Sequence, residues 1–172
     1  MKLIKAETLN TGVNFHDVPD VFSADYKEYM IVVSGLVGNE STATGANCRL
    51  LKASDDSAET GTVYEYGLYS LKAETSNSVS RSQNATRWFN TFGGVDDGAQ
   101  AGGGVLNLFC PFDSHNTFAM WNGTNHAGGP NFRSYWGKGV ILNTTSYSGI
   151  RVDLNETAAR IGGGVISIYG VC

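Results

Sequence analysis

Residues 150–154, Ile150-Arg151-Val152-Asp153-Leu154, set the reading of the whole chain. Every second position is apolar and charged side chains stand between, a period of two that puts one side of a strand on a core and the other in water. Further on, Val165-Ile166-Ser167-Ile168-Tyr169 is largely apolar and reads as a buried strand. The same reading extends outward over 3–8, 28–37, 47–53, 63–72, 86–92, 105–112, 117–121, 135–142, 149–154 and 164–171. These segments are short, rich in β-branched or aromatic residues, and mostly bounded by Gly, Asn, Ser or Asp. In 63–72 the tyrosines fall on both faces, so part of that strand is expected to be covered on both sides. Only 74–77 and 156–161 could hold a helical turn, which excludes the crossovers of a parallel sheet. The expectation is an all-β, antiparallel two-sheet β-sandwich of about ten short strands, jelly-roll-like, filling residues 1–172 as a single domain.

Composition narrows the function classes. Of 172 residues, 41% are apolar, 16% are charged and 22 are Gly, which suits a folded chain with many tight turns and excludes coiled coil, collagen and tail-like disorder. A net charge of −4 gives no drive toward phosphate backbones, so no nucleic-acid partner is expected. The start, Met1 to Glu7, lacks the apolar stretch of a secretory signal, and the longest clean apolar run is Tyr29 to Val33, too short to span a bilayer. A soluble protein without a membrane partner is expected. Cys48, Cys110 and Cys172 are odd in number and far apart, which fits three unpaired thiols and synthesis in a reducing compartment. No repeat of fixed period appears.

Catalytic motifs are absent from the sequence. No serine stands in a Gly-x-Ser-x-Gly turn, and no Cys-x-x-Cys exists. His16, His115 and His126 form no metal-spaced pair and read as surface residues in polar loops. Asp55-Asp56 and Asp96-Asp97-Gly98 read as turns, and the runs Gly102-Gly103-Gly104 and Gly162-Gly163-Gly164, preceding strands and not helices, read as bends. Hence no catalytic, cofactor-binding or metal-binding residue is predicted, and no enzyme activity. The segment 92–104 reads as the most flexible and as one that orders against a neighbouring subunit. Trp88, Trp121, Tyr135 and Trp136 lie beside Asn- and Gly-rich loops and are the candidate aromatics for a glycan or a subunit interface, with core packing as their ordinary role.

The opening Phe22-Ser23-Ala24-Asp25-Tyr26-Lys27-Glu28-Tyr29, followed by Met30-Ile31-Val32-Val33-Ser34-Gly35, then Asn47-Cys48-Arg49-Leu50-Leu51, and the ending Ser148-Gly149-Ile150-Arg151-Val152 with Gly164-Val165-Ile166-Ser167-Ile168-Tyr169-Gly170, carry a resemblance. The chain resembles small virion structural proteins of marine tailed phages, including those of cyanobacteria, over nearly its whole length. The shared motifs are core-forming strands and transfer no catalytic residue. The resemblance implies a β-sandwich on a phage particle, made in the host bacterial cytoplasm. It would be a capsid decoration or knob protein, or else a tail fibre or appendage component that binds carbohydrate during host adhesion. The compact first and last strands favour the knob. Partners implied are copies of itself, a trimer being expected, other virion proteins such as the major capsid protein, and surface glycans.

Overall fold

Alternating apolar residues need a second layer to bury them, and the chain supplies it by folding two sheets against each other. The computed structural model describes residues 1–39, 44–73, 77–95, 101–126, 132–154 and 159–171, and no helix occurs among them. The strands in chain order are β1 (Lys2–Thr8), β2 (Phe15–Val18), β3 (Glu28–Gly38), β4 (Thr44–Lys52), β5 (Tyr64–Lys72) and β6 (Ser78–Ala85). They continue as β7 (Gly94–Val95), β8 (Gly102–Phe109), β9 (Thr117–His126), β10 (Phe132–Ile141), β11 (Tyr147–Leu154) and β12 (Ile161–Val171). An eight-stranded sheet runs β1-β12-β3-β8-β9-β10-β5-β6 and a four-stranded sheet runs β2-β11-β4-β7. Every pairing is antiparallel. The protein is thus an all-β, two-sheet sandwich.

Consecutive strands change layers: β1 and β2, β3 and β4, β7 and β8, and β11 and β12 each divide between the two sheets. Two hairpins interrupt this wrap, β5–β6 between β4 and β7, and β9–β10 between β8 and β11. Both join the same side of β8 and widen one sheet from four strands to eight. The inner face is built of cross-strand rows. One such row runs Leu68, Gly137, Trp121, Leu106, Ile31, Ile168 from β5 across to β12. Leu50, Ile150 and Val152 of the small sheet belong to the same buried core.

Beyond the edge of the small sheet, residues 86–92 cover the inner face of the added hairpins. Sequence periodicity reads 86–92 as a strand, but it is a series of bends and turns with one bridge, Cys48 to Trp88, and Asn90 takes φ 51°. Its aromatics are there to fill volume. Trp88 is fully buried, meets Tyr64 edge-on at 5.3 Å and lies 6.1 Å from Trp121. Gly137 and Gly139 of β10 make this possible, since a Cβ at Gly137 would fall inside the Trp121 indole and one at Gly139 against the Trp88 ring.

The glycine runs are likewise strand and not bends. Gly102 to Gly104 open β8 and Gly162 to Gly164 lie in β12. A Cβ on Gly103 would stand 2.6 Å from the Val33 carbonyl oxygen and one on Gly104 2.6 Å from that of Asn122, so the close approach of backbone demands glycine. Strands β2, β6 and β7 extend the sequence reading. Cys48, buried, and Cys110, half-buried, are free thiols. Expectations for Cys172, for 96–100 of the flexible segment, and for residues 74–76 and 156–158 of the helical turns read at 74–77 and 156–161 lie outside the described residues.

Candidate functional site

Each sheet has one face on the core and one face outward, and the two outward faces have opposite chemistry. On the small sheet Arg151 of β11 stands between Asp17 of β2 and Arg49 of β4. Arg151 donates to both Asp17 carboxylate oxygens, at 2.6 and 2.7 Å, and its guanidinium lies 3.9 Å from the centre of the Phe15 ring. In the next row Asp153 accepts from Arg49 at 2.5 Å and from Arg87 at 3.2 Å and is almost wholly buried beneath them. This face satisfies its own charges.

The outward face of the large sheet is apolar. Its rows can be followed strand by strand. One runs Val79, Tyr69, Trp136, Asn122, Val105, Val32 from β6 to β3. The next runs Arg81, Gly67, Lys138, Met120, Asn107, Met30, and a third runs Glu65, Val140, Phe118, Phe109. Among the described residues twelve large apolar side chains stand exposed; all but Met1, Phe15 and Leu142 lie on this face, Val79 at 74%, Phe118 at 55% and Trp136 at 42%. Nothing among the described residues covers them, because the four-stranded layer lies on the opposite side.

A groove of about 640 Å³ runs across the strands between the first two rows. Its depth has a local cause: Gly67 is exposed and has open space where a Cβ would stand, so one position in the second row carries no side chain. Tyr69 and Trp136 form one wall, their rings 6.0 Å apart and tilted by 34°. Met120, Lys138 and Asn107 form the other. A second hollow, of about 430 Å³, continues it past Lys138 toward Glu65, Arg81 and Phe118. Glu65, Arg81 and Lys138 take part in none of the ion pairs found among the described residues.

The four candidate aromatics are not brought together. Trp88, Trp121 and Tyr135 face the inter-sheet core and are buried, so their rings are closed to a glycan and to a neighbouring subunit. Trp136, on the same strand as Tyr135 but pointing the other way, is the one that reaches the surface. Sequence reasoning missed Tyr69, Met120 and Val79, although the alternation of β9 and β10 separates their two faces once the pairing is known. His16 also departs from the surface reading: it is buried, accepts from the Asn10 amide at 3.0 Å and pairs through Nε2 with Glu7 at 2.7 Å, tying β2 to β1. A polar cluster at the sandwich end joins the Tyr147 hydroxyl to Asn143 at 2.9 Å and to Glu59 at 3.5 Å. Burial pushes the Tyr147 hydroxyl well up, so it stays a neutral donor. Among the described residues no three of His, Cys, Asp and Glu converge as metal ligands, and no helix is long and apolar enough to cross a membrane. No protein-family model, curated protein or solved structure matches the chain.

Proposed function

We propose that this chain is a structural protein of a phage particle, a capsid decoration or knob subunit that is made in the host cytoplasm, assembles with copies of itself and resides on the virion. The observation that carries the reading is the wide apolar face of the eight-stranded sheet, a surface suited to burial and not to turnover. Two further points support it. The wrap of β1-β12-β3-β8 over β2-β11-β4-β7 is the order of two interlocked Greek keys, so we read the fold as a jelly roll with two inserted hairpins, an architecture used by viral capsid domains. That support is by analogy of fold. The strand motifs from Phe22 to Gly35 and from Gly164 to Gly170 add the resemblance to marine phage virion proteins. On this reading the outward partners are the same chain and other virion proteins such as the major capsid protein.

Immunogold labelling of particles from the source lysate tests the proposal, with label expected over the heads. Particles without label, in a lysate that contains the chain, overturn it. Label confined to tails selects a second reading, a tail fibre or appendage component that holds surface glycans. One observation favours that reading: the exposed Trp136 and Tyr69 rings stand beside the Asn107 and Asn122 amides, the pairing of aromatic face and hydrogen-bonding groups that a sugar ring uses. In that case glycan binding is lost in Trp136→Ala.

A further inference from the structure

We infer that the outward face of β9, β10, β5 and β6 is the contact surface between two copies of this chain, related by a two-fold axis that crosses the strands between Glu65 and Gly67. The inference deepens the structural reading above and rests on it for its biological setting.

Size argues first. Tyr69, Val79, Phe118, Met120, Phe132 and Trp136, with Leu71 beside them, are each at least a third exposed on these four strands. Together they offer on the order of 650 Å² of surface, at the upper limit of the roughly 300–600 Å² of the largest patch on an ordinary monomer and most of the ~800 Å² that one partner gives to a standard interface. A flat sheet face also stacks well on another, at a spacing of about 10 Å filled by interdigitated side chains.

Charge chooses the occupant and the symmetry. Free charges on this part of the face are Glu65 in one row and Lys138 and Arg81 in the next, on either side of the gap at Gly67. Glu65 and Gly67 occupy the same strand two residues apart. Rotation by 180° about an axis across the strands midway between them carries Glu65 of one copy over the Gly67 gap of the other, between that copy's Lys138 and Arg81. The same rotation repeats the contact in the reverse direction, as an isologous interface requires. A threefold ring needs two different complementary surfaces on each subunit, and the small sheet's outward face has already paired its charges within the chain. One adhesive face therefore gives a pair and not the trimer expected from sequence.

Sedimentation velocity of the full chain over about 1 to 100 µM tests this. The expected species has twice the 18.4 kDa chain mass. The same axis lays Phe118 of each copy over Met120 of the other, so Phe118→Glu should raise the dissociation constant at least about thirtyfold, as loss of a central aromatic anchor does, with the thermal melting of the monomer retained. Glu65→Lys, at a half-buried side chain on the outward face, keeps the test open if Phe118→Glu misfolds. It should weaken association about tenfold at low salt, and adding Lys138→Glu should restore most of that loss. A monomer at 100 µM, a particle of three chain masses, or a dimer indifferent to both Phe118→Glu and Glu65→Lys overturns the inference. Gold label on particles from a chain that is monomeric in solution overturns this interface alone, whereas a two-fold pair absent from particles overturns the virion reading alone.

Discussion

The outward faces of the two sheets are made from the same kind of alternating strand, yet one is finished and the other is not. On the four-stranded sheet every large charged group among Asp17, Arg49, Arg87, Arg151 and Asp153 has an opposite charge within reach. On the eight-stranded sheet the exposed positions are filled by Trp136, Phe118, Met120 and Val79, with the charges Glu65, Lys138 and Arg81 left apart. Residues that are satisfied within the chain contribute to its folding; residues that are not can contribute only when something else covers them. Substitutions on the two faces should therefore fail in different assays.

The largest effect is expected at Asp153. Asp153→Ala leaves the guanidiniums of Arg49 and Arg87 without a counter-charge in a site where all three groups are mostly buried. Removing one member of such a cluster costs about 3 kcal/mol, a fall in melting temperature of roughly 6–12 °C for a chain of this size. Urea unfolding of the monomer measures it. Trp136→Ala on the opposite face should change the same quantity by less than about 1.5 kcal/mol, because the residue is 42% exposed in the monomer and its loss leaves no charge unpaired. A monomer equally destabilised by both would erase the distinction between the faces.

Arg151→Ala sharpens the contrast at intermediate scale. It removes a bidentate bond to Asp17, both groups half-buried, and the guanidinium lying on the exposed Phe15 ring, and should cost about 1–2 kcal/mol in the same unfolding measurement. Arg151→Lys should recover little of it, since an ammonium cannot span both carboxylate oxygens. Full recovery would mean that the site contributes only net charge.

The finished face was the more legible of the two. In 150–154 the apolar positions announce the core and the charged ones the outward side, and β11 keeps that division, although Asp153 is buried there beneath Arg49 and Arg87 and Arg151 is half-buried rather than in water. The unfinished face hides from the same logic because both sides of β9 and β10 carry apolar residues, so Trp121 and Trp136 look alike until pairing assigns them to opposite faces. Strand β6, Ser-Val-Ser-Arg-Ser-Gln-Asn-Ala, was unreadable for a different reason: lying at the end of the sheet it buries almost nothing and is held by its backbone bonds to β5. The aromatic run 86–92 gave the opposite error. Its Trp88 fills the space under β10 that Gly139 opens by carrying no side chain, and burial of that kind leaves no period to detect. Trp88, Trp121 and Tyr135 were set beside Trp136 as surface candidates for want of the same information.

The smallest effect is expected where the two sheets are joined at their margin, at Glu7 of β1 and His16 of β2. Burial by itself would raise the Glu7 carboxyl, but the hydrogen bond from His16 and the nearby Lys5 outweigh it, and the group is held below the usual carboxylate range. A carboxylate depressed in the folded state binds its proton more readily when unfolded. Its stabilisation is therefore complete above the ordinary carboxylate range and fades as pH falls through the lower folded value. For a partly exposed pair the amount should be under about 1 kcal/mol. Glu7→Gln should flatten the acid limb of a plot of unfolding free energy against pH by that amount and leave the charged face formed by Arg151 and Asp153 unaltered. If the acid limb keeps its slope in Glu7→Gln, the loss of stability in acid belongs to carboxylates elsewhere, such as Asp113, which its hydrogen bond from Lys27 holds low, and the margin between the sheets is held by packing alone.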